Sequence, residues 1–361
     1  MIKNVCVIFV LLLFLLCARD APCTQEQRGK EFKILAFSGG GVRGVVSLKI
    51  LKFLSESSSL PPIRWRDEFD CFAGTSTGAI IAVGLAMGIP VDELQEMYCA
   101  MSAKVFENPR NFAIMYPEYY RDHLREGLIQ MLRWRFSSPE EACLNDLLPN
   151  RVVIVTVNLE NPDTHRWQMD VKGNFLKKEG KIKIIDALLE TTAAPFFFSS
   201  YEHHIDGGTV AKDPSMVAFS RAYRPCNLDR DGVFMLSIGT GFLARYIHGD
   251  EKWGKVQWLS PFAWNSSAGS MPILKMLLDL EEERPSQLLS RMFPENFRKL
   301  DVKLLKKVAL DDVAGIPALI KRCDEVFSDP SQRDFWQGAR KWLRDHIHGK
   351  EADHTALMMK K

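Results

Sequence analysis

Residues 69–87 read FDCFAGTSTGAIIAVGLAM, and the fold turns on how that stretch divides. Phe69 to Ala73 leads into glycine and reads as a strand. Ala79 to Met87 is apolar all round, which marks a helix buried on every side. Between them Gly74-Thr75-Ser76-Thr77-Gly78 spells G-x-S-x-G. Gly74 and Gly78 have no side chains to obstruct a sharp strand-to-helix turn, and such a turn presents a serine hydroxyl at the end of a sheet. The helix that starts there sets its partial positive charge behind the hydroxyl. Ser76 is therefore the candidate nucleophile.

Upstream, Phe32 to Phe37 reads as a buried strand, and a helix is expected from about Gly44 to Ser55. They are joined by Ser38-Gly39-Gly40-Gly41-Val42-Arg43-Gly44. Successive glycines let the backbone aim several N–H groups at one point, and a helix N-terminus adds positive charge there. That point could cradle a pyrophosphate, since Gly39, Gly41 and Gly44 fit G-x-G-x-x-G, or a transition-state oxyanion, or be a plain turn. A dinucleotide site wants an acidic residue at the end of the second strand, where this chain has the serine turn.

Downstream, helices are expected over Val91–Phe106 and His123–Arg135, forming a helical insertion of about 91–148. Strands follow at Arg151–Leu159 and His165–Val171, a helix at Ile185–Thr192, and strands at Tyr201–Ile205 and Val233–Ile238. From Ile273 to His348 the chain reads as helices punctuated by Pro285, Pro294, Pro317 and Pro330. Alternating strands and helices predict an α/β layered domain: a central, mostly parallel sheet flanked by helices, with a helical C-terminal part. The expected boundaries are a catalytic domain over 31–328, after a linker at 22–30, and a helical tail over 329–361.

The strand before position 206 ends in His204-Ile205-Asp206-Gly207-Gly208. A serine hydroxyl needs a neighbour to take its proton, and a desolvated aspartate can do so. Alone, Asp-Gly-Gly is an ordinary turn. Glycine loop, serine turn and Asp-Gly-Gly about 130 residues later together resemble the patatin-like phospholipase family. The likeness runs from about Phe32 to Asp213 and includes Thr191–Phe198 (TTAAPFFF). It continues more weakly through Ser237-Ile238-Gly239-Thr240-Gly241 and Leu310-Asp311-Asp312. It implies lipid acyl hydrolysis by a Ser76–Asp206 dyad without histidine. It also implies an oxyanion loop spanning Gly39, Gly40, Gly41, Arg43 and Gly44, with Gly74, Gly78, Gly207 and Gly208 shaping the turns. No metal or cofactor is implied. Two departures stand out: Ser38, where many members have aspartate, and Lys212-Asp213-Pro214, where an Asn-Asn-Pro turn is common. A Ser–His–Asp scheme would instead draw on His248, His346, His348 or His354. His203 and His204 could tune Asp206.

Lys3 followed by the apolar run Val5–Cys17 reads as a signal peptide over 1–21, with an uncleaved anchor as the alternative. Export, with possible membrane association, is the expected localisation. Cys71 reads as a buried packing residue, and the widely spaced cysteines show no metal-binding pair. The net charge of +2 and scattered basic residues exclude a nucleic-acid footprint. Trp253, Trp258, Phe262 and Trp264 near Lys252 and Lys255 suggest transient contact with a membrane surface, or a packed loop. The expected partner is a lipid or phospholipid substrate; oligomeric state is not readable from sequence.

Overall fold

The computed structural model describes residues 31–348 apart from 57–60, 111–114, 224, 227, 229–231, 245, 248–249 and 261–270. The leader and linker expected over 1–30, and His248, Phe262, Trp264 and His354, lie outside the described residues. Strand β1 (Phe32–Phe37) leads through the glycine loop into α1 (Gly44–Ser55), and α2 (Trp65–Glu68) precedes β2 (Cys71–Thr75). Then come α3 (Thr77–Met87), α4 (Val91–Val105), α5 (Arg121–Leu132), β3 (Arg151–Asn158), β4 (Gln168–Gly173), α6 (Ile184–Thr191) and β5 (His204–Asp206). The chain closes with α7 (Ser215–Tyr223), β6 (Val233–Ile238), α8 (Lys255–Leu259), α9 (Pro272–Met292), β7 (Phe297–Leu300), α10 (Ile316–Ser328) and α11 (Arg333–His348).

The sheet runs β4-β3-β2-β1-β6-β7, parallel except where β4 and β5 pair antiparallel with β3. Successive side chains of a strand face opposite ways. Leu35 and Phe37 thus enter the larger core, under α1, α3 and α4, while Ile34, Ala36 and Cys71 enter the smaller one, under α7 and the end of α9. Burial on both faces is why these strands read as continuous apolar runs. Every residue of α3 is buried, as its sequence predicts. It stops at Gly88, whose left-handed backbone (φ 93°) lets Ile89 N–H reach Gly84 C=O at 3.1 Å. Trp336 and Leu343 of α11 join the larger core.

The relation of β5 to β2 positions the site. β2 pairs with β3 over Arg151–Val155, and β4 pairs with it over Val153–Asn158, so they occupy opposite edges. β5 pairs with Thr156–Asn158, which β4 also covers, so β5 shares the edge that β2 leaves. Thr75 partners Val155, and Asp206 partners the next residue, Thr156. The sheet register alone therefore sets Asp206 beside Ser76.

Three expectations fail. The stretch from Ile273 is not all helical, because Phe297–Leu300 forms β7 beside β6. Pro285 does not break a helix: α9 runs through it with the ring buried. The strand expected at Tyr201 begins only at His204. Cys71, Cys99, Cys143, Cys226 and Cys323 are all free thiols, and Cys71 is fully buried.

Candidate active site

Ser76 sits at φ 54° and ψ −126°, a strained conformation for a residue with a side chain. Its neighbours make the turn possible. A Cβ on Gly74 would strike the Ala79 backbone, and one on Gly78 would strike the Phe37 carbonyl. The Ser76 N–H donates to Thr191 Oγ1 at 2.9 Å, and that hydroxyl in turn donates to Val155 C=O. Thr75 Oγ1 donates to Ala211 C=O at 2.8 Å, tying β2 to the segment after Asp206. The Asp206 N–H donates to Ala193 C=O at 3.0 Å. The Thr191–Phe198 segment thus holds both the serine and the aspartate.

The Asp206 carboxylate lies beside Ser76, whose hydroxyl favours its charged form, and its Oδ1 accepts the Gly208 N–H at 2.7 Å. Burial pushes the Asp206 pKa up to about 6, against the pull of those two donors. Gly207 lies so close to the Val155 carbonyl that no Cβ would fit.

The glycine loop is pinned carbonyl by carbonyl. Thr240 Oγ1 donates to Gly39 C=O at 3.0 Å. Arg43 donates to Gly40 C=O through its backbone N–H at 3.2 Å and through Nε at 3.3 Å. The Tyr98 hydroxyl, buried, donates to Gly41 C=O and also contacts Thr77 Oγ1. In a trans peptide the C=O and the following N–H point opposite ways. Fixing the carbonyls of Gly39 and Gly40 therefore fixes the N–H groups of Gly40 and Gly41. Those two amides have no acceptor among the described residues. The other loop amides are taken: Gly39 N–H by Lys212 C=O at 3.0 Å, Val42 N–H by Leu310 C=O at 2.7 Å, and Gly44 N–H by Gly41 C=O. The loop amides without an acceptor among the described residues thus narrow to Gly40 and Gly41, next to the start of α3 at Thr77. Gly41 adopts φ 56° against the Leu310 carbonyl, a place only glycine fits.

The two sequence departures meet beneath the loop. Lys299 Nζ donates to Asp213 Oδ2 at 2.7 Å and to Ser38 Oγ at 3.1 Å. Burial alone would raise the Asp213 pKa, but the Lys299 ammonium outweighs it and holds the carboxylate below its usual range. Glu282 of α9 pairs with Lys212.

A cavity of about 580 Å³ opens over Ser76, Asp206 and the loop. Ile80, Met101, Phe106, Phe197, Leu278 and Leu310 give it a mainly apolar wall, and no histidine lines it among the described residues. His204 points elsewhere, with Nε2 bonded to Asp170 at 3.1 Å. His203 faces Glu160 at 2.9 Å. His346 packs tilted against the Phe234 ring at 4.4 Å. Trp253 and Trp258 pack edge to face at 5.1 Å. Sequence reasoning missed Tyr98, Thr191 and Thr240 as bracing residues. The only signal for the last two was their place in segments that resembled the family.

A mostly parallel sheet ending in a strained serine turn, with a buried carboxylate in the same cavity, defines a serine-centred α/β site. The sequence pattern described as patatin-like phospholipase matches residues 35–219, and the chain belongs to that family. The chain is 29% identical to a cGAMP-activated phospholipase of Vibrio cholerae over 61% of its own length and 67% of that protein. It is 31% identical to a cGAMP-activated phospholipase of Escherichia coli over 58% of its own length, and spans 62% of that relative. It is 28% identical to patatin-like protein 4 of Arabidopsis thaliana over 84% of this chain and 80% of that one.

Proposed function

We propose that this chain is a lipid acyl hydrolase of the phospholipase A or lysophospholipase type, working through an acyl-serine. The observation that carries the reading is the juxtaposition, in one apolar cavity, of the Ser76 hydroxyl and the buried Asp206 carboxylate, whose pKa is raised by burial. Relatives described as phospholipases support it. Asp206 takes the proton as Ser76 Oγ attacks the ester carbonyl. The oxyanion receives the N–H groups of Gly40 and Gly41. The bond to the alcohol breaks, and that oxygen takes the proton back from Asp206. Asp206 next deprotonates a water, which attacks the acyl-serine. Fatty acid leaves as Ser76 regains its proton. The protein's part is positioning and preorganised charge.

Mass spectrometry of a mixed lipid extract incubated with the protein should show free fatty acids rising at the expense of acyl esters, and no change with Ser76→Ala. An unchanged extract with the wild type would end the reading. With Asp206 as the base, kcat/KM should fall about tenfold per pH unit below about pH 6 and level off above it.

Thr240 is a positioning residue in this scheme. Thr240→Val keeps the shape and removes the donor to Gly39 C=O. The peptide that aims the Gly40 N–H is then free to tilt, and kcat should fall about 10- to 100-fold with KM little changed. A rise in KM at constant kcat would assign Thr240 to substrate binding instead.

A further inference from the structure

We propose that the mouth of the cavity docks on an anionic phospholipid surface through the Lys303–Lys307 loop and Phe196; this rests on the lipid hydrolase reading. The loop reads Lys303-Leu304-Leu305-Lys306-Lys307 and is held rigidly. Leu304 is buried, and its N–H donates to Phe242 C=O at 2.8 Å. That anchor turns Leu305 outward, where it is 73% exposed between Lys303, Lys306 and Lys307, all exposed too. No ion-pair partner for these three lysines is found among the described residues. Lys307 also lines the cavity, so the loop forms part of its rim.

Phe196 lines the same cavity and is 79% exposed. Its backbone stands at φ 76°, a conformation a bulky residue adopts only under constraint. Its carbonyl accepts the Glu118 N–H at 2.8 Å, which fixes the backbone there. Leu274, on the first turn of α9, adds a further half-exposed apolar group to the cavity wall. Apolar groups held in water around the opening of an apolar cavity, with unpaired lysines among them, complement one surface chemistry: acyl chains beneath a layer of negative phosphate. A neutral apolar partner would leave the lysines unused. A soluble acidic partner would leave Phe196 and Leu305 in water.

The test is vesicle binding by the Ser76→Ala protein, which leaves the lipid intact. Phosphatidylcholine vesicles are compared with the same vesicles containing phosphatidylserine. Binding should be at least tenfold tighter to the anionic vesicles, given about fivefold per lysine at the surface. Raising the salt should weaken it. Leu305→Asp with Lys306→Glu should cost about 50-fold or more in anionic-vesicle binding. The same two changes in the Ser76-bearing protein should leave turnover of a short-chain, water-soluble ester within twofold, since neither side chain lines the cavity. Equal binding to both vesicles overturns the proposal, as does unchanged binding by the variant. So does a wild-type dimer that the variant dissolves without any vesicle binding, which would make this face an interface between copies. Failure of the hydrolase reading would look different: no turnover of the soluble ester at all.

Discussion

Ser76→Ala and Asp206→Asn should each lower kcat/KM for a fatty-acyl ester by about 10⁴-fold or more, and the double variant should be little worse than either. Residues that act as one unit lose their effect together when either is removed. Without the hydroxyl no acyl-serine forms. Without the carboxylate the hydroxyl stays protonated and is a poor nucleophile. Turnover left in the variants would come from binding and from the Gly40 and Gly41 amides, which neither change touches. Both variants should fold. Alanine at 76 keeps the Cβ and the N–H that donates to Thr191 Oγ1. Asparagine at 206 keeps an acceptor for the Gly208 N–H. Steady-state kinetics on a soluble ester, with circular dichroism of each variant, make the measurement. If folded Asp206→Asn kept a tenth of the activity, the base would lie elsewhere, and His248→Ala would be the next variant to measure.

The parts of this fold that were legible in the sequence are those whose signal is local. β1 and α3 are buried on all sides, so their apolar runs declare them without any knowledge of their partners. The serine turn shows itself because Gly74 answers to the Ala79 backbone only five residues on, although Gly78 makes room for the distant Phe37 carbonyl. What stayed hidden is held by distant partners. β7 is only Phe297-Arg298-Lys299-Leu300, and its two central basic residues mask the strand pattern. Lys299 is tolerated in the interior because Asp213 and Ser38 receive its protons, from 86 and 261 positions away. The braces behave alike. Tyr98 reaches Gly41 across 57 positions, Thr191 reaches Ser76 across 115, and Thr240 reaches Gly39 across 201. A tyrosine or threonine in such a place has no pattern of its own until the sheet brings its target near. Pro285 misled for the opposite reason. Its local signal is strong, yet α9 runs through it with the ring buried.

Asp206→Asn should also stabilise the protein, by about 3 kcal/mol at pH 8 and by well under 1 kcal/mol at pH 4. The side chain is 6% exposed, and its pKa rises from an ordinary 3.8 to about 6 because burial disfavours the charge. A tenfold change in proton affinity corresponds to about 1.4 kcal/mol, so a change of roughly a hundredfold makes the charged form cost about 3 kcal/mol. Below about pH 4 the carboxyl is protonated whether the chain is folded or not, and it costs nothing. Between about 4 and 6 the folded state keeps a proton that the unfolded state has released, so raising the pH lowers stability across that window. Above about 6 the carboxylate is charged in both states, and the full cost of keeping it dry persists. Asparagine carries no charge at any of these values, so its advantage should appear with rising pH and then level off. Urea unfolding of both proteins at pH 4, 5, 6 and 8 measures this directly. A difference that stayed constant across the series would mean that the carboxylate is not desolvated, and a solvated carboxylate would be too weak a base for Ser76. The change that most strengthens the fold would therefore be the one that silences the site, as expected where a charge is held in an unfavourable environment for its reactivity.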